Sequence, residues 1–145
     1  MNKNIEIEIK LINKNASIPF KRHETDIGFD LSSCEKIKLL SKEVTLVKTG
    51  LAINLPLGIG GFVLPRSGLS TKHKITLINS PGLIDPGYTG ELLIPLINLS
   101  DLNYQVDVDD RIAQLVLINT ENVNFKVVEK LPITDRSNEG FGSTG

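Results

Sequence analysis

The chain has 145 residues, enough for one domain that buries its own core without disulfides or metals. Its 16 basic and 17 acidic residues leave a net charge of -1, which excludes a general attraction to nucleic acid or to an acidic membrane surface. The lone cysteine, Cys34, excludes an internal disulfide, so we expect a cytoplasmic protein in which Cys34 packs as a small apolar residue. The first residues lack the apolar stretch of a secretory signal, and no segment has the length and apolarity of a membrane span.

Segments in which apolar and polar residues alternate dominate the chain, and this period of two predicts strands. The pattern is clearest over residues 5–11, is less strict over 47–55 and returns over 123–127. Residues 91–99 and 111–118 are apolar on both faces, so we expect these strands to lie between two layers or between subunits. Helical periodicity is found only near SGLSTKHK, where one or two turns are expected. Many short strands separated by turn residues predict an all-β sandwich or barrel.

Polar residues of the kind used in active sites fall in five short stretches: TDIGFDL, PRSGL, NSPGLIDPGYTGEL, RIAQL and RSNEGFGSTG. Each stretch has an ordinary structural explanation when taken alone. Asp30 suits a turn, Ser67 suits a helix N-cap, and Asp85 suits an Asx turn before proline. Gln114 is explained as well by satisfying a backbone group, and Tyr88 by packing. The terminal stretch is explained by a solvated chain end.

Taken together, in their order and spacing, the five stretches resemble the five motifs of the trimeric deoxyuridine triphosphatases (dUTPases), over residues 19–145. The resemblance implies a homotrimer of jelly-roll subunits, each a distorted β-barrel with one short helix. It implies that dUTP is the substrate and is hydrolysed to dUMP and pyrophosphate, which keeps uracil out of DNA and supplies dUMP for dTMP synthesis. It also implies a β-barrel domain over residues 1–135 and a glycine-rich tail over 136–145 that closes over an active site, expected on a neighbouring subunit.

The resemblance places catalysis and metal binding on two carboxylates. Asp85 is expected to orient and deprotonate the water that attacks the α-phosphorus in line. Asp30 is expected to act through water on a Mg2+ ion bound to the triphosphate, because magnesium keeps several waters and needs few protein ligands. The isolated His23 and His73 give no indication of a zinc site.

Phosphate binding is assigned to the second and fourth stretches. Ser67 and Gly68 stand where the expected helix begins and where free N–H groups bind phosphate, and Arg66 adds positive charge. Gln114 resembles the residue that contacts the α-phosphate. Arg111, in the same stretch as Gln114, is expected to be structural and to pair with a carboxylate near a subunit interface.

Base and sugar recognition are assigned to the third stretch, which resembles the hairpin that reads uracil. Backbone N–H and C=O groups around Gly82 and Ile84 are expected to match the donors and acceptors of uracil, with help from Asn79. Such a site rejects cytosine because the exocyclic amine of cytosine reverses that pattern. Tyr88 is expected to pack beneath the deoxyribose and to leave no room for a 2′-hydroxyl.

The glycine-rich tail is assigned the remaining contacts with the nucleotide. Arg136, Ser143 and Thr144 offer a charge and hydroxyl donors to the γ-phosphate, and the ring of Phe141 is expected to stack on uracil. Glycines such as Gly142 let a backbone approach phosphates closely. We therefore expect the tail to close over bound substrate and to exclude water.

Some positions depart from the family pattern: Ile27, Gly87, Asp109, Ser137 and Glu139. None of them carries a role assigned above, although Glu139 brings negative charge near the phosphates. Two rival functions stay open. A dCTP deaminase of the same fold needs a glutamate on the strand after the IDPG turn, where residues 94–96 are Ile-Pro-Leu and Glu91 lies too close to the turn. The other rival is a non-catalytic regulatory module that keeps the fold.

Overall fold

The alternating segments fold into short antiparallel strands. The computed structural model describes residues 5–134, and within this range it contains ten strands and one helix. These elements are β1 (Glu8–Leu11), β2 (Phe29–Ser32), β3 (Ile37–Leu39), β4 (Val44–Asn54), β5 (Ile59–Leu64), α1 (Ser67–His73), β6 (Ile75–Leu77), β7 (Gly82–Ile84), β8 (Glu91–Asn98), β9 (Tyr104–Val106) and β10 (Arg111–Asn119). The predicted all-β class with one short helix is confirmed, and the helix lies where SGLSTKHK placed it.

Two four-stranded sheets enclose the core of the jelly roll. Their strand orders are β1-β4-β8-β6 and β2-β10-β5-β7, and β3 pairs with β9 in a further two-stranded sheet. Leu51 of β4, Ile94 and Leu96 of β8, and Leu31 of β2 are at most 1% exposed and belong to one apolar cluster. The alternation of side chains between the two faces of a strand is clear in β8, where Ile94 is 1% exposed while its neighbour Leu93 is 42% exposed.

The outer face of the first sheet carries apolar side chains. Leu46 of β4 pairs with Pro95 of β8, and Val44 pairs with Ile97. Leu46 is 58% exposed and Val44 is 50% exposed, although the inward residues of both strands are buried. The expectation that β8 has two apolar faces is confirmed, and its outer face is open in the single chain.

The prediction of a strand over residues 123–127 is wrong for the single chain. Residues 120–134 form neither helix nor strand, and Phe125 and Val127 are each 97% exposed. The alternating sequence is present, but a strand also needs a neighbouring strand to receive its backbone hydrogen bonds. Within residues 5–134 no strand lies beside this segment to pair with it.

Cys34 packs in the interior as expected. It is 2% exposed, and burial, with the nearby charges of Glu91 and Glu35, raises the pKa of its thiol. The helix found within residues 5–134, α1, has seven residues and is too short to be a candidate membrane span.

Candidate functional site

A cleft of about 710 Å³ opens where β2, β10 and the start of α1 meet. The chain reaches it by leaving β5 at Leu64, passing Pro65 and turning into the helix at Ser67. Three of the five polar stretches contribute to this one cleft. Its lining consists of Arg22, Thr25, Asp26, Ile27, Gly28, Asp30, Leu64, Arg66, Ser67, Gly68, Arg111, Gln114 and Val116.

The carboxylate of Asp30 is held by two guanidinium groups. Arg66 Nε donates to Oδ1 at 2.8 Å, and Arg111 Nη1 donates to Oδ2 at 3.0 Å. Arg66 also donates from Nη1 to the backbone oxygen of Arg111 at 3.1 Å. The Asp30 side chain is only 15% exposed, so water competes little for these contacts. The predicted pairing of Arg111 with a carboxylate is confirmed, and its partner is Asp30.

A bulge in β10 brings Arg111 and Gln114 to the same cleft. Residues three apart on a regular strand point to opposite faces. Here Arg111 pairs with Ser32 while Ala113 pairs with Leu31, so β10 holds one extra residue. That extra residue reverses the alternation, which lets both polar side chains line the cleft.

Gln114 is fixed opposite Asp30. The two residues are paired between β10 and β2, and Gln114 Nε2 donates to the backbone oxygen of Pro65 at 2.9 Å. Pro65 directly precedes Arg66, so the same contact ties β10 to the turn that starts the helix. Gly28 lies against the Gln114 side chain: a Cβ atom at position 28 would collide with Oε1.

Ser67 and Gly68 line the cleft as the first residues of α1. The first helical hydrogen bond runs from the N–H of Ser70 to the oxygen of Arg66, so the N–H groups before Ser70 lack partners within the helix. The interpretation of Ser67 as the N-cap is wrong. Arg66 occupies that position in an extended conformation, and no side chain caps the helix.

A second, smaller cavity of about 150 Å³ lies beside β7. It is lined by Val63, Leu77, Asn79, Gly82, Leu83, Ile84, Tyr88, Leu92, Leu93, Ile94 and Pro95. All four residues predicted to read base and sugar are therefore together, and the walls around them are mostly apolar. β7 pairs with β5 and is the last strand of its sheet, so one edge of its backbone is open.

The ring of Tyr88 lies close against Gly90. A Cβ atom on Gly90 would come within 2.8 Å of Tyr88 Cζ, closer than real contacts allow. The Tyr88 hydroxyl donates to the backbone oxygen of Glu91 at 2.9 Å, which fixes the ring at its far end. Gly87, one of the departures from the family pattern, has a φ of 83°, a conformation that glycine adopts without steric cost.

Asp85 lies between Ile84 and Tyr88 in the sequence, but it lines neither the cleft nor the smaller cavity. It follows β7 directly, and its backbone oxygen accepts from the N–H of Tyr88 at 3.2 Å to close a turn. Its side chain is exposed on that turn. The single chain thus separates the expected base from the expected phosphate site.

Comparison with known proteins identifies the family. The family model described as dUTPase matches residues 14–145. The deoxyuridine 5'-triphosphate nucleotidohydrolase of Clostridium kluyveri is 45% identical over 141 residues, which cover 97% of this chain and 99% of that protein. The chain belongs to the dUTPase family. The family assignment made from the five stretches is confirmed.

Solved dUTPase structures share the fold. A Staphylococcus bacteriophage 80alpha dUTPase with dUPNHPP superposes with a TM-score of 0.91 at 31% identity and covers 99% of both chains. A mutant dUTPase from phage phi11 of S. aureus, described as coordinating a structural Mg(II) ion, gives a TM-score of 0.82 at 28% identity over 88% of this chain and 99% of its own.

The structure adds site residues to this dUTPase that sequence reasoning missed. The cleft is also lined by Arg22, which precedes the first stretch, and by Thr25 and Asp26, the first two residues of that stretch, to which no role was assigned. They form a turn in which the N–H of His23 donates to Asp26 Oδ2 at 2.9 Å. The available signal was the charged run RHETD, residues 22–26, which ends one residue before GFDL and so places charged side chains near that motif.

Other residues singled out in the sequence have structural roles or lie outside the described range. His73 contacts the ring of Tyr104, with centroids 4.8 Å apart. Asp109, one of the departures from the family pattern, has a φ of 68°, a backbone conformation that favours glycine. Among residues 5–134 no group of three or more His, Cys, Asp or Glu side chains is placed to bind a metal ion directly. The predicted tail contacts fall outside the described residues: Arg136, Phe141, Gly142, Ser143 and Thr144.

Proposed function

We propose that the chain hydrolyses dUTP to dUMP and pyrophosphate in active sites shared between the subunits of a homotrimer. The observation that carries the activity is membership of the dUTPase family over residues 14–145, with 45% identity to a named deoxyuridine triphosphate nucleotidohydrolase. The 80alpha dUTPase, of the same fold, was solved with dUPNHPP, an analogue of dUTP. A cytoplasmic location stays a prediction.

The cleft has the charge and donors to take the triphosphate. Three cationic side chains line it, those of Arg22, Arg66 and Arg111, against two carboxylates, those of Asp26 and Asp30, an excess of one positive charge. Gln114 and the first N–H groups of α1 add neutral donors that suit phosphate oxygens. We assign the phosphates to this cleft, with Gln114 at the α-phosphate.

The smaller cavity has the features needed to select uracil. The open edge of β7 offers backbone donors and acceptors, which are held in place by the pairing of β7 with β5. A ligand can bind to an open sheet edge by hydrogen bonding to its backbone groups, as a peptide does in strand addition, and the fixed positions of those groups select the ligand's donors and acceptors. Apolar walls exclude water, so a base with the wrong polar pattern leaves buried groups unpaired. Asn79 adds an amide, and Tyr88 presents its ring to the sugar.

Asp85 is assigned as the general base. The carboxylate removes a proton from water, the water oxygen bonds to the α-phosphorus, and the bond to the bridging oxygen breaks in line, so that pyrophosphate leaves with the electron pair. Its exposed position outside the cleft means that, in this proposal, the phosphate cleft of one subunit faces the hairpin of another.

Mg2+ fits the cleft as an ion carried by the triphosphate. Each Asp30 oxygen accepts one hydrogen bond from an arginine and keeps a further lone pair, which can accept from a metal-bound water. The absence of a ligand cluster within residues 5–134 agrees with an ion that the protein contacts through water. When bound, Mg2+ neutralises negative charge on the phosphate oxygens.

Exposed apolar surface supports assembly. Phe125, Val127 and Ile133 are at least 96% exposed, and Leu46 adds to the open face of the first sheet. Monomeric proteins rarely leave such residues in water together, whereas subunit interfaces cover them. We propose that neighbouring subunits cover both surfaces and that the tail, residues 136–145, closes a site on a neighbour.

A nucleotide panel tests the activity. With Mg2+, the purified protein is expected to release pyrophosphate from dUTP far faster than from dTTP, dCTP or UTP. Equal turnover of the four would contradict the role of the hairpin, and ammonia release from dCTP would favour a deaminase. The structure does not favour deamination, because Ile94 and Leu96 point into the core where the required glutamate is sought.

A further inference from the structure

We propose that Gly28 is a positioning residue: the absence of a side chain at position 28 is what allows the Gln114 amide to occupy its place in the cleft. This inference rests on the proposed function, because it names a residue that controls one of the assigned phosphate contacts. It assigns Gly28 no contact with substrate.

The space beside Gly28 is filled by Gln114. A Cβ atom at position 28 would collide with Oε1 of Gln114 and would lie 3.2 Å from its Cδ and 3.3 Å from its Cβ. All three nearest atoms belong to the Gln114 side chain. No backbone atom is among them, so the conflict is with one side chain.

Gln114 has little freedom to avoid that conflict while keeping its place. Its backbone is paired with Asp30 on one side and with Leu64 on the other. Its amide nitrogen donates to the oxygen of Pro65 at 2.9 Å. An added methyl group at position 28 therefore drives the amide away from Pro65 and from its present position in the cleft.

Backbone conformation does not explain the glycine. Among residues 5–134 the glycines with positive φ are Gly50, Gly58 and Gly87, and Gly28 is not one of them. Alanine at position 28 therefore does not meet the steric cost of a positive φ. The structural cost of Gly28→Ala is thus the displacement of the far end of a flexible side chain, and we expect the fold to be kept.

A double-mutant cycle in steady-state hydrolysis of dUTP tests the inference. Gly28→Ala is expected to lower kcat/KM by about tenfold or more, the range for loss of a hydrogen bond to a charged group. In a Gln114→Ala background the same substitution should have almost no further effect, because the displaced group is absent. The preference for dUTP over dCTP should not change, since base selection lies in the separate cavity.

Gly60→Ala is the matched control. It adds the same methyl group to β5, where the nearest atoms are side-chain atoms of Thr120 and Ile118 at 3.2 Å or more, and Gly60 does not line the cleft. Its kcat/KM is expected to stay near that of the unmodified protein. Thermal unfolding of each variant reports whether a loss of activity is a loss of fold.

Several results would overturn the inference. Full activity of Gly28→Ala would do so, and so would independent, multiplicative losses in the double mutant. If Gly28→Ala lowers Tm strongly, adding Gln114→Ala to that variant must restore the Tm, because the colliding side-chain atoms are then gone. Failure of the double mutant to recover its Tm would also overturn the assignment.

A side-chain NMR measurement separates this inference from the proposed function. The amide NH2 signals of Gln114, assigned by their loss in Gln114→Ala, are expected to shift in Gly28→Ala without any nucleotide present. If the unmodified protein fails to hydrolyse dUTP, the proposed function fails, whereas an unchanged Gln114 signal in Gly28→Ala refutes the positioning role.

Discussion

Arg66 Nε and Asp30 Oδ1 lie 2.8 Å apart in a pair whose side chains are 26% and 15% exposed. This pair joins the turn before α1 to β2, two elements that hold different motifs of the dUTPase family. Because both groups are largely shielded, each depends on the other for compensation of its charge.

Replacing Asp30 with Asn should destabilise the fold. The change leaves Arg66 and Arg111 sharing a neutral partner, and we expect the free energy of unfolding to fall by about 1–3 kcal/mol. Urea denaturation measures this loss. Asp107→Asn, which breaks the more exposed pair with Lys36, is the control and should cost less than about 0.5 kcal/mol. Equal losses would mean that the Asp30 pair gains nothing from its shielding.

Replacing Asp85 with Asn should remove turnover and spare binding. The side chain is exposed and follows β7, so the substitution leaves packing intact. Loss of a general base lowers kcat by about 10²- to 10⁴-fold. Calorimetric titration with dUPNHPP checks that affinity is kept, and Asp101→Asn, on an exposed loop, is the control. Retained turnover would refute the assignment of Asp85.

Replacing Gly90 with Ala should weaken discrimination against UTP. The new Cβ atom would come within 2.8 Å of Tyr88 Cζ, so the ring must move. We expect the ratio of kcat/KM for dUTP to that for UTP to fall by about tenfold or more. Tyr88→Phe keeps the ring over Gly90 and should preserve more of the ratio. An unchanged ratio in Gly90→Ala would show that the ring position does not set sugar choice.

Deleting residues 140–145 should abolish hydrolysis with little change in Tm. The stretch GFGSTG carries the proposed hydroxyl donors and the stacking ring, whereas the buried apolar residues of the described part of the chain all fall within residues 31–115. Steady-state assays and thermal unfolding of the same sample separate the two effects. Full activity of the shortened chain would contradict the proposed role of the tail and would favour the interpretation of these residues as a solvated chain end.

Replacing Phe125 with Ser should weaken assembly. Phe125 is 97% exposed in the single chain, and the proposal places it at a subunit contact. Sedimentation velocity over a range of concentrations is expected to show a shift from trimer toward smaller species. Leu57→Ser is a matched control, since Leu57 is 93% exposed on the turn between β4 and β5. Unmodified protein that sediments as a monomer would contradict the trimer itself.

Local pattern was sufficient for the fold class, the helix and the grouping of motif residues. Strand β4 follows from alternation and strands β8 and β10 from their continuous apolar runs, and the residues of the third stretch expected to recognise base and sugar line one cavity. Pattern failed where a contact is decided by distant parts of the chain. The segment 123–127 has the alternating pattern of a strand, but no strand of the described chain lies beside it. Arg22 lines the cleft although it belongs to none of the five stretches. The fit of Gly28 against Gln114 depends on a bulge in β10, and the local sequence pattern does not predict that bulge.

The separation of the large cleft from the β7 cavity within one chain has a genetic consequence under the proposed assembly. Two defective alleles, one altered in the cleft and the other in the hairpin, would rescue each other when expressed together, because some mixed trimers would join an intact cleft to an intact hairpin. Two alleles altered in the same cavity would not. Complementation would then map each residue to its half of the site without any structure of the complex.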